Sequence, residues 1–298
     1  MPVTGDPSIA FFAPLPPLVV ALLAFRRPGR RPGWLPALAE WSMAAAFALA
    51  LAGLGVLILG GPGHLSLGGG AATLSLRFDA LTATGCVFVS LVGWVVVRFA
   101  RTYVDGEERE GLFHGLTLAA LTATLLFVLS ASATGLFAAL VAKGAILRRL
   151  LLFYPQRREA QRAAAKFAIV WRAADAALAG AVVLLLLAVG TDDLAVIGAE
   201  ARAGPSLALH LAAGLLVLSA LLRSAAFPFH GWLTQVMEAP TPVSALLHAG
   251  VVNAGGLMLL RFAEVVQASP ASTGTLVLAG GFTALFGGLV MLTQPAVK

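Results

Sequence analysis

The sequence predicts an all-α, polytopic membrane helix bundle, and three observations carry that prediction. Of 298 residues, 59% are hydrophobic and 11% charged, with a mean hydropathy of +0.91. A soluble chain is about 45–50% apolar with about 25% charged residues, and a fold this apolar would present large greasy patches to water. The apolar residues also arrive in blocks of about 17–25, the helix length that crosses roughly 30 Å of hydrocarbon. Third, the arginines gather in a few short loops between the blocks, as they do when they set membrane orientation. A cytosolic enzyme, a nucleic-acid-binding domain and a disordered chain are excluded.

The blocks define about nine spans of membrane-crossing length. In order they lie near Ile9–Phe25, Leu38–Leu59, Leu81–Phe99, Leu112–Leu129, Ala131–Phe153, Phe167–Val189, Ser206–Met237, Pro242–Phe262 and Thr275–Leu292. The first lacks the basic flank and small-residue cleavage site of a signal peptide and reads as a retained span. The seventh is too long for one regular helix and contains Pro228, which removes a backbone donor. A break around Ser224–Pro228 follows, giving a discontinuous seventh helix.

The loops sort by charge. Arg26, Arg27, Arg30 and Arg31 follow the first span, and Arg98 and Arg101 the third. Arg148, Arg149, Arg157, Arg158, Arg162 and Lys166 surround the end of the fifth. The positive-inside bias makes these loops cytoplasmic and the N-terminus external, in a cell inner (plasma) membrane. The opposite segments, Gly60–Arg77 and Thr191–Ser206, are nearly free of cations and read as loops. The net charge of +6 therefore reports topology, not a polyanionic partner. Cys86, alone in an apolar block, reads as a small core residue, so disulfides and thiolate metal sites are out. The glycines around Gly60 and Gly68 lack the lysine of a phosphate-binding loop.

Ionisable groups in hydrocarbon cost at least about 2.5–3.5 kcal/mol each, so their positions are informative. Lys143, Arg172, Asp175, His210, Arg223, His230 and His248 fall inside the blocks. Lys143 stands just before Arg148 and Arg149 and is expected to snorkel to the interface. Arg172 and Asp175 are three apart on one span and form either a local ion pair or a site in which Asp175 turns inward to Arg223. Arg223 ends an apolar run interrupted only by Gly214 and Ser219, yet more apolar sequence follows it. It either snorkels at the end of a span or, as the apolar sequence beyond it favours, sits at mid-membrane, where a broken helix needs polar or hydrated surroundings. His230 and His248 flank a proline-interrupted segment and can release protons near neutral pH. Pro242 fits a first helical turn, Thr241 is placed to cap it, and Ser244 and His248 would share a face. A third zinc ligand at suitable spacing is missing, as is a nucleophile–base pair. The residues imply a transporter without a cofactor and not an enzyme.

The run Leu222-Arg-Ser-Ala-Ala-Phe-Pro-Phe-His-Gly-Trp-Leu-Thr-Gln-Val-Met-Glu-Ala-Pro-Thr-Pro-Val-Ser-Ala-Leu-Leu-His248 resembles the signature of the antiporter-like subunits of respiratory complex I and Mrp-type antiporters. Leu76-Arg-Phe-Asp-Ala-Leu81 and Arg172-Ala-Ala-Asp175 extend the similarity. The Gln-Val-Met-Glu-Ala-Pro-Thr-Pro variant, the stretch to Asn253 and Arg149-Leu-Leu-Leu-Phe-Tyr-Pro155 look most like the DabB branch. That resemblance implies an antiporter-like fold and a membrane subunit of an energy-coupled inorganic carbon (bicarbonate or CO2) pump. It also implies a DabA-like, zinc-containing soluble partner, with H+ or another cation driving uptake. The alternative within the family is a proton-translocating subunit of an NADH-quinone oxidoreductase, hydrogenase or Mrp complex.

Two departures stand out. Arg223 occupies the place of the family's proton-carrying lysine, and arginine cannot give up its proton. The glutamate that complex I relatives carry on the fifth span would fall near Val141, and that span holds no acid. The resemblance therefore assigns the ion path to Arg223, Asp175, Arg172, His230, Glu238, Ser244 and His248, with the histidines titrating. It divides the chain into an N-terminal three-helix region (1–110), a first five-helix antiporter-like unit (111–263) and the start of a second, truncated unit (264–298), the mark of either a fragment or a reduced natural form, of which a fragment is expected.

Overall fold

The computed structural model describes residues 7–67, 74–234, 239–248 and 253–293. The chain is predominantly helical and falls into two compact units, residues 1–155 with 239–250, and 156–238 with 251–298. This division by packing runs along different lines from the sequence division at 110 and 263.

Unit 1 contains a short 3-10 turn (Pro7–Phe12) and helices α1 (Leu15–Phe25), α2 (Leu35–Gly60), α3 (Ala80–Tyr103), α4 (Glu110–Leu129) and α5 (Ala133–Leu151). The short helix that begins at Thr241 and ends at Leu246 also belongs to it. The α4 helix is its centre, buried on nearly every face and packed on α1, α3 and α5. Close approach is made possible by small residues, as in many membrane helix pairs. A Cβ at Gly93 of α3 would run into Leu121 of α4, and one at Gly85 into Val128. Side chains that the sequence supplies start these helices. Asp79 accepts from Thr82 N at 2.9 Å to open α3, and Ser132 accepts from Gly135 N at 3.2 Å to open α5. The arginine-bearing segments after the first and third spans meet at one end of the unit. Arg101 Nη1 is 3.1 Å from Glu40 Oε2, and Arg31 Nε is 3.9 Å from Asp105.

The segment read as a glycine-rich loop is instead a two-stranded hairpin, β1 (Gly63–Leu67) and β2 (Leu74–Phe78), in antiparallel register with Leu65 opposite Leu76. Alternation of apolar and polar residues in Leu74–Phe78 suits a strand with one face covered. Its backbone is tied down by Ala131 N, which donates to Ser75 O at 2.9 Å.

Unit 2 contains α6 (Arg158–Val189), α7 (Leu194–Ala203) and α8 (Leu207–Arg223). After a 3-10 turn (Phe229–Trp232) come two short helices and a long one. With the Thr241–Leu246 helix numbered α9, these are α10 (Ala254–Arg261), α11 (Ala263–Gln267) and α12 (Pro270–Thr293). The α7 helix corrects the reading of Thr191–Ser206 as a loop. Asp193 caps it, accepting from Ala195 N at 2.7 Å, and Arg202 at its end pairs with Glu264 of α11 at 2.7 Å. Helices α6 and α8 pack along each other and frame the site.

Among the described residues five helices, α2, α3, α4, α6 and α12, are each long and apolar enough to cross a membrane. Of the eighth expected span, residues 249–252 lie outside the described residues. The α9 helix ends at Leu246, and α10 begins at Ala254 in the other unit.

Candidate ion-translocation site

The α8 helix stops at Arg223, and its termination builds the site. Ser224 N closes onto Ala220 O at 2.8 Å, and Ala226 N reaches back to Leu221 O at 3.0 Å. Between them Ala225 adopts φ +51°, the left-handed conformation that ends many helices and that glycine adopts without strain. The carbonyl of Leu222 is freed by this ending and accepts from Trp232 Nε1 at 3.2 Å. The break expected at Ser224–Pro228 is present, and the chain satisfies much of its exposed backbone internally.

Arg223 has no solvent exposure. Its Nη2 donates to Asp175 Oδ1 of α6 at 2.6 Å, and its Nε donates to Ser219 Oγ, one turn earlier on α8, at 3.3 Å. The Ser219 hydroxyl in turn donates to Ala174 O at 2.9 Å. The guanidinium carbon lies 5.2 Å from the Trp171 ring centroid. Phe167 stacks on Trp171 at 4.6 Å, and Trp232 stands edge-on to both. The cation is therefore held by one carboxylate, one hydroxyl and an aromatic wall. Its Nη1 is buried without a hydrogen-bond partner among the described residues, so the two N–H groups on that nitrogen remain for water.

Of the residues expected in the path, Arg223 and Asp175 are brought together, in the inward-turned arrangement. Arg172 is exposed and forms no ion pair with Asp175 among the described residues, which discards the local pair three residues apart. His230 lies just beyond the break, stacked on Phe227 at 5.6 Å and against Phe286 of α12 at 5.0 Å. Its Nδ1 is buried without a partner among the described residues. Phe227 N donates to Thr283 Oγ1 at 3.1 Å, so α12 anchors the broken segment. Ser244 and His248 belong to unit 1; Ser244 is buried and His248 exposed. Glu238 lies outside the described residues. Thr241 does not cap α9: its hydroxyl donates to Tyr103 Oη at 3.4 Å, and Pro242 sits in the first turn as expected.

Lys143 corrects a second expectation. Its side chain does not reach the interface but is fully buried within unit 1, with Nζ 5.8 Å from the Phe127 ring centroid. Snorkelling depends on which way the stem turns, and here α4 draws it inward. Sequence reasoning also missed Ser219, Trp171 and Trp232. Ser219 carried a signal, since it interrupts an apolar run four residues before Arg223.

A buried cation in an apolar bundle costs free energy unless it is paired, and here the end of a discontinuous helix places it against a carboxylate on a neighbouring helix. Residues 135–298, just over half of the chain, match the family described as NADH:quinone oxidoreductase/Mrp antiporter, transmembrane. The chain belongs to this antiporter family. A similar family member is the "Probable inorganic carbon transporter subunit DabB2" of Halothiobacillus neapolitanus, 42% identical over 269 residues, covering 87% of this chain and 49% of that protein. The "Probable inorganic carbon transporter subunit DabB" of Hydrogenovibrio crunogenus is 38% identical over 213 residues, covering 70% of this chain and 41% of that one. The solved Mrp complex of Dietzia sp. DQ12-45-1b aligns with a TM-score of 0.79 at 27% identity, covering 93% of this chain and 30% of the matched chain. The chain thus spans about half the length of the curated antiporter-family relatives it matches. Membership establishes a polytopic membrane protein with the antiporter-like fold.

Proposed function

We propose that the chain is the ion-translocating part of the membrane subunit of an energy-coupled inorganic carbon transporter. The observation that carries this reading is the fully buried Arg223 paired with Asp175 at the end of a broken helix. The similarity to DabB-named relatives supports the choice of cargo.

In this reading Arg223 is a fixed charge, because arginine keeps its proton at any physiological pH. It positions Asp175 and orients water through Nη1. The groups that take up and release protons are His230 and His248, with Glu238 at the mouth of the path and Ser244 and Arg172 alongside it. The repeat is a five-helix unit over residues 111–263, followed by the beginning of a second. The arginine-rich end faces the cytoplasm, the N-terminus is outside, and the carbon chemistry belongs to a DabA-like zinc-containing soluble partner. The coupling ion is H+ or Na+.

The test is complementation. The full-length gene and its partner, expressed in a strain lacking carbonic anhydrase, should restore growth in air. Asp175→Ala combined with His248→Ala should abolish that growth at equal membrane abundance. Unimpaired growth of the double variant would refute the assignment of the path.

A further inference from the structure

The α4 helix carries a line of polar residues that the Arg223 site does not use. Glu110, His114 and Thr117 follow one another at i, i+4 and i+7, so they share one helix face. All three are buried, at 2%, 0% and 2% exposure. Leu121, one turn further along the same face, packs at Gly93 of α3, so the line faces protein.

Two members of this line are unsatisfied. Among the described residues, both ring nitrogens of His114 and the Thr117 hydroxyl are buried without hydrogen-bond partners. Thr117 departs from the habit of its own helix. Thr122 and Thr124 return their hydroxyls to the carbonyls of Leu118 and Ala120 at 2.9 and 2.8 Å, as threonines in apolar helices do. Leaving such groups unpaired costs about 1–3 kcal/mol each, and hydrocarbon offers no partner. Water bridging polar groups one turn apart removes that cost.

The line also has a mouth. Glu110 borders a cavity of about 430 Å³ lined with Arg31, Arg101, Thr102 and Asp105. Its Oε2 accepts from Arg31 N at 3.1 Å and Gly106 N at 3.0 Å, which fixes the carboxylate at the start of α4. The charged groups bordering this mouth are Arg31, Arg101 and Asp105.

We propose that Glu110, His114 and Thr117 form a hydrated proton relay entering unit 1 from this cavity, separate from the Arg223–Asp175 pair. Glu110 takes a proton from cavity water and passes it through bridging water to one ring nitrogen of His114. The other ring nitrogen releases its own proton to water held against Thr117, and a ring flip resets the imidazole. One proton enters and one leaves, with O–H and N–H bonds alone exchanged. The relay rests on the reading of the chain as an ion conductor, but its hydration does not.

The test is cysteine accessibility in the full-length subunit with its partner, with Cys86 and any cysteine beyond this chain replaced. Thr117→Cys should react with a water-soluble methanethiosulfonate at least about tenfold faster than Leu118→Cys, a buried neighbour off the line, because thiolates form only where water reaches. Equal rates would overturn the proposal whether or not the protein conducts. In proteoliposomes, His114→Phe should lower protonophore-sensitive flux at least about tenfold while His230 stays in place. Labelling at position 117 with undiminished flux in His114→Phe would show a water pocket, not a relay, and would equally overturn it.

Discussion

The Ser219 hydroxyl donates to the Ala174 carbonyl at 2.9 Å, joining α8 to α6 one residue from Asp175. The same oxygen accepts Arg223 Nε at 3.3 Å, so a single hydroxyl both fastens the helices and aims the cation. Ser219→Ala removes an acceptor from a buried charge and a donor from a buried carbonyl. The expected loss is about 1.5–3 kcal/mol, measurable as reduced stability to denaturation in detergent. A change within experimental scatter would mean that the two helices are held by packing alone.

Asp175→Ala strands the Arg223 guanidinium. Breaking a buried pair by removing one partner costs about 3–5 kcal/mol, and the partial exposure of Asp175 places this case at the lower end. Replacing both partners, Arg223→Met with Asp175→Leu, should recover most of that stability without recovering transport. The comparison needs one unfolding series and one flux assay on the same three proteins.

Ala225 holds a left-handed conformation at φ +51° where the helix ends. Ala225→Gly relieves steric strain of about 1–2 kcal/mol and returns part of it as chain entropy, for a net gain of up to about 1 kcal/mol. Ala225→Val should do the opposite and destabilise the break. Thermal unfolding of the two variants against the parent decides it.

Gly111 at the start of α4 faces the backbone of the Arg27–Pro28 segment, and a Cβ there would meet the Arg27 carbonyl oxygen. Backbone cannot swing aside as a side chain does, so Gly111→Ala should cost about 1–3 kcal/mol as overpacking. Gly55→Ala on α2 has open space around it and should be neutral or slightly stabilising. Their unfolding midpoints should separate clearly.

Much of this architecture is legible in the amino-acid order because the bilayer enforces it. Long apolar blocks became α2, α3, α4, α6 and α12, and Pro228 in an over-long block marked the break after Arg223. The Asp175–Arg223 pair was readable as one of two alternatives, since a mid-membrane cation demands a counter-charge. Sequence order alone did not tell whether Asp175 would pair with Arg172 or turn inward to Arg223. The β1–β2 hairpin and α7 escaped because short elements outside the membrane depend on tertiary support and caps. Lys143 escaped because sequence position gives the depth of a stem, not the direction it takes. His114 was not among the ionisable residues singled out in the sequence, although it falls inside the Leu112–Leu129 block.

The central claim is that the buried Arg223–Asp175 pair lies on the route of the translocated ion. Its most direct test is protonophore-sensitive ion flux into proteoliposomes containing the full-length subunit and its partner, for the parent and for Asp175→Asn, which keeps the side chain's shape and removes its charge. The account predicts a fall of at least about tenfold, since the buried guanidinium loses its counter-ion. Flux equal to the parent's, from protein inserted in equal amount, would contradict it.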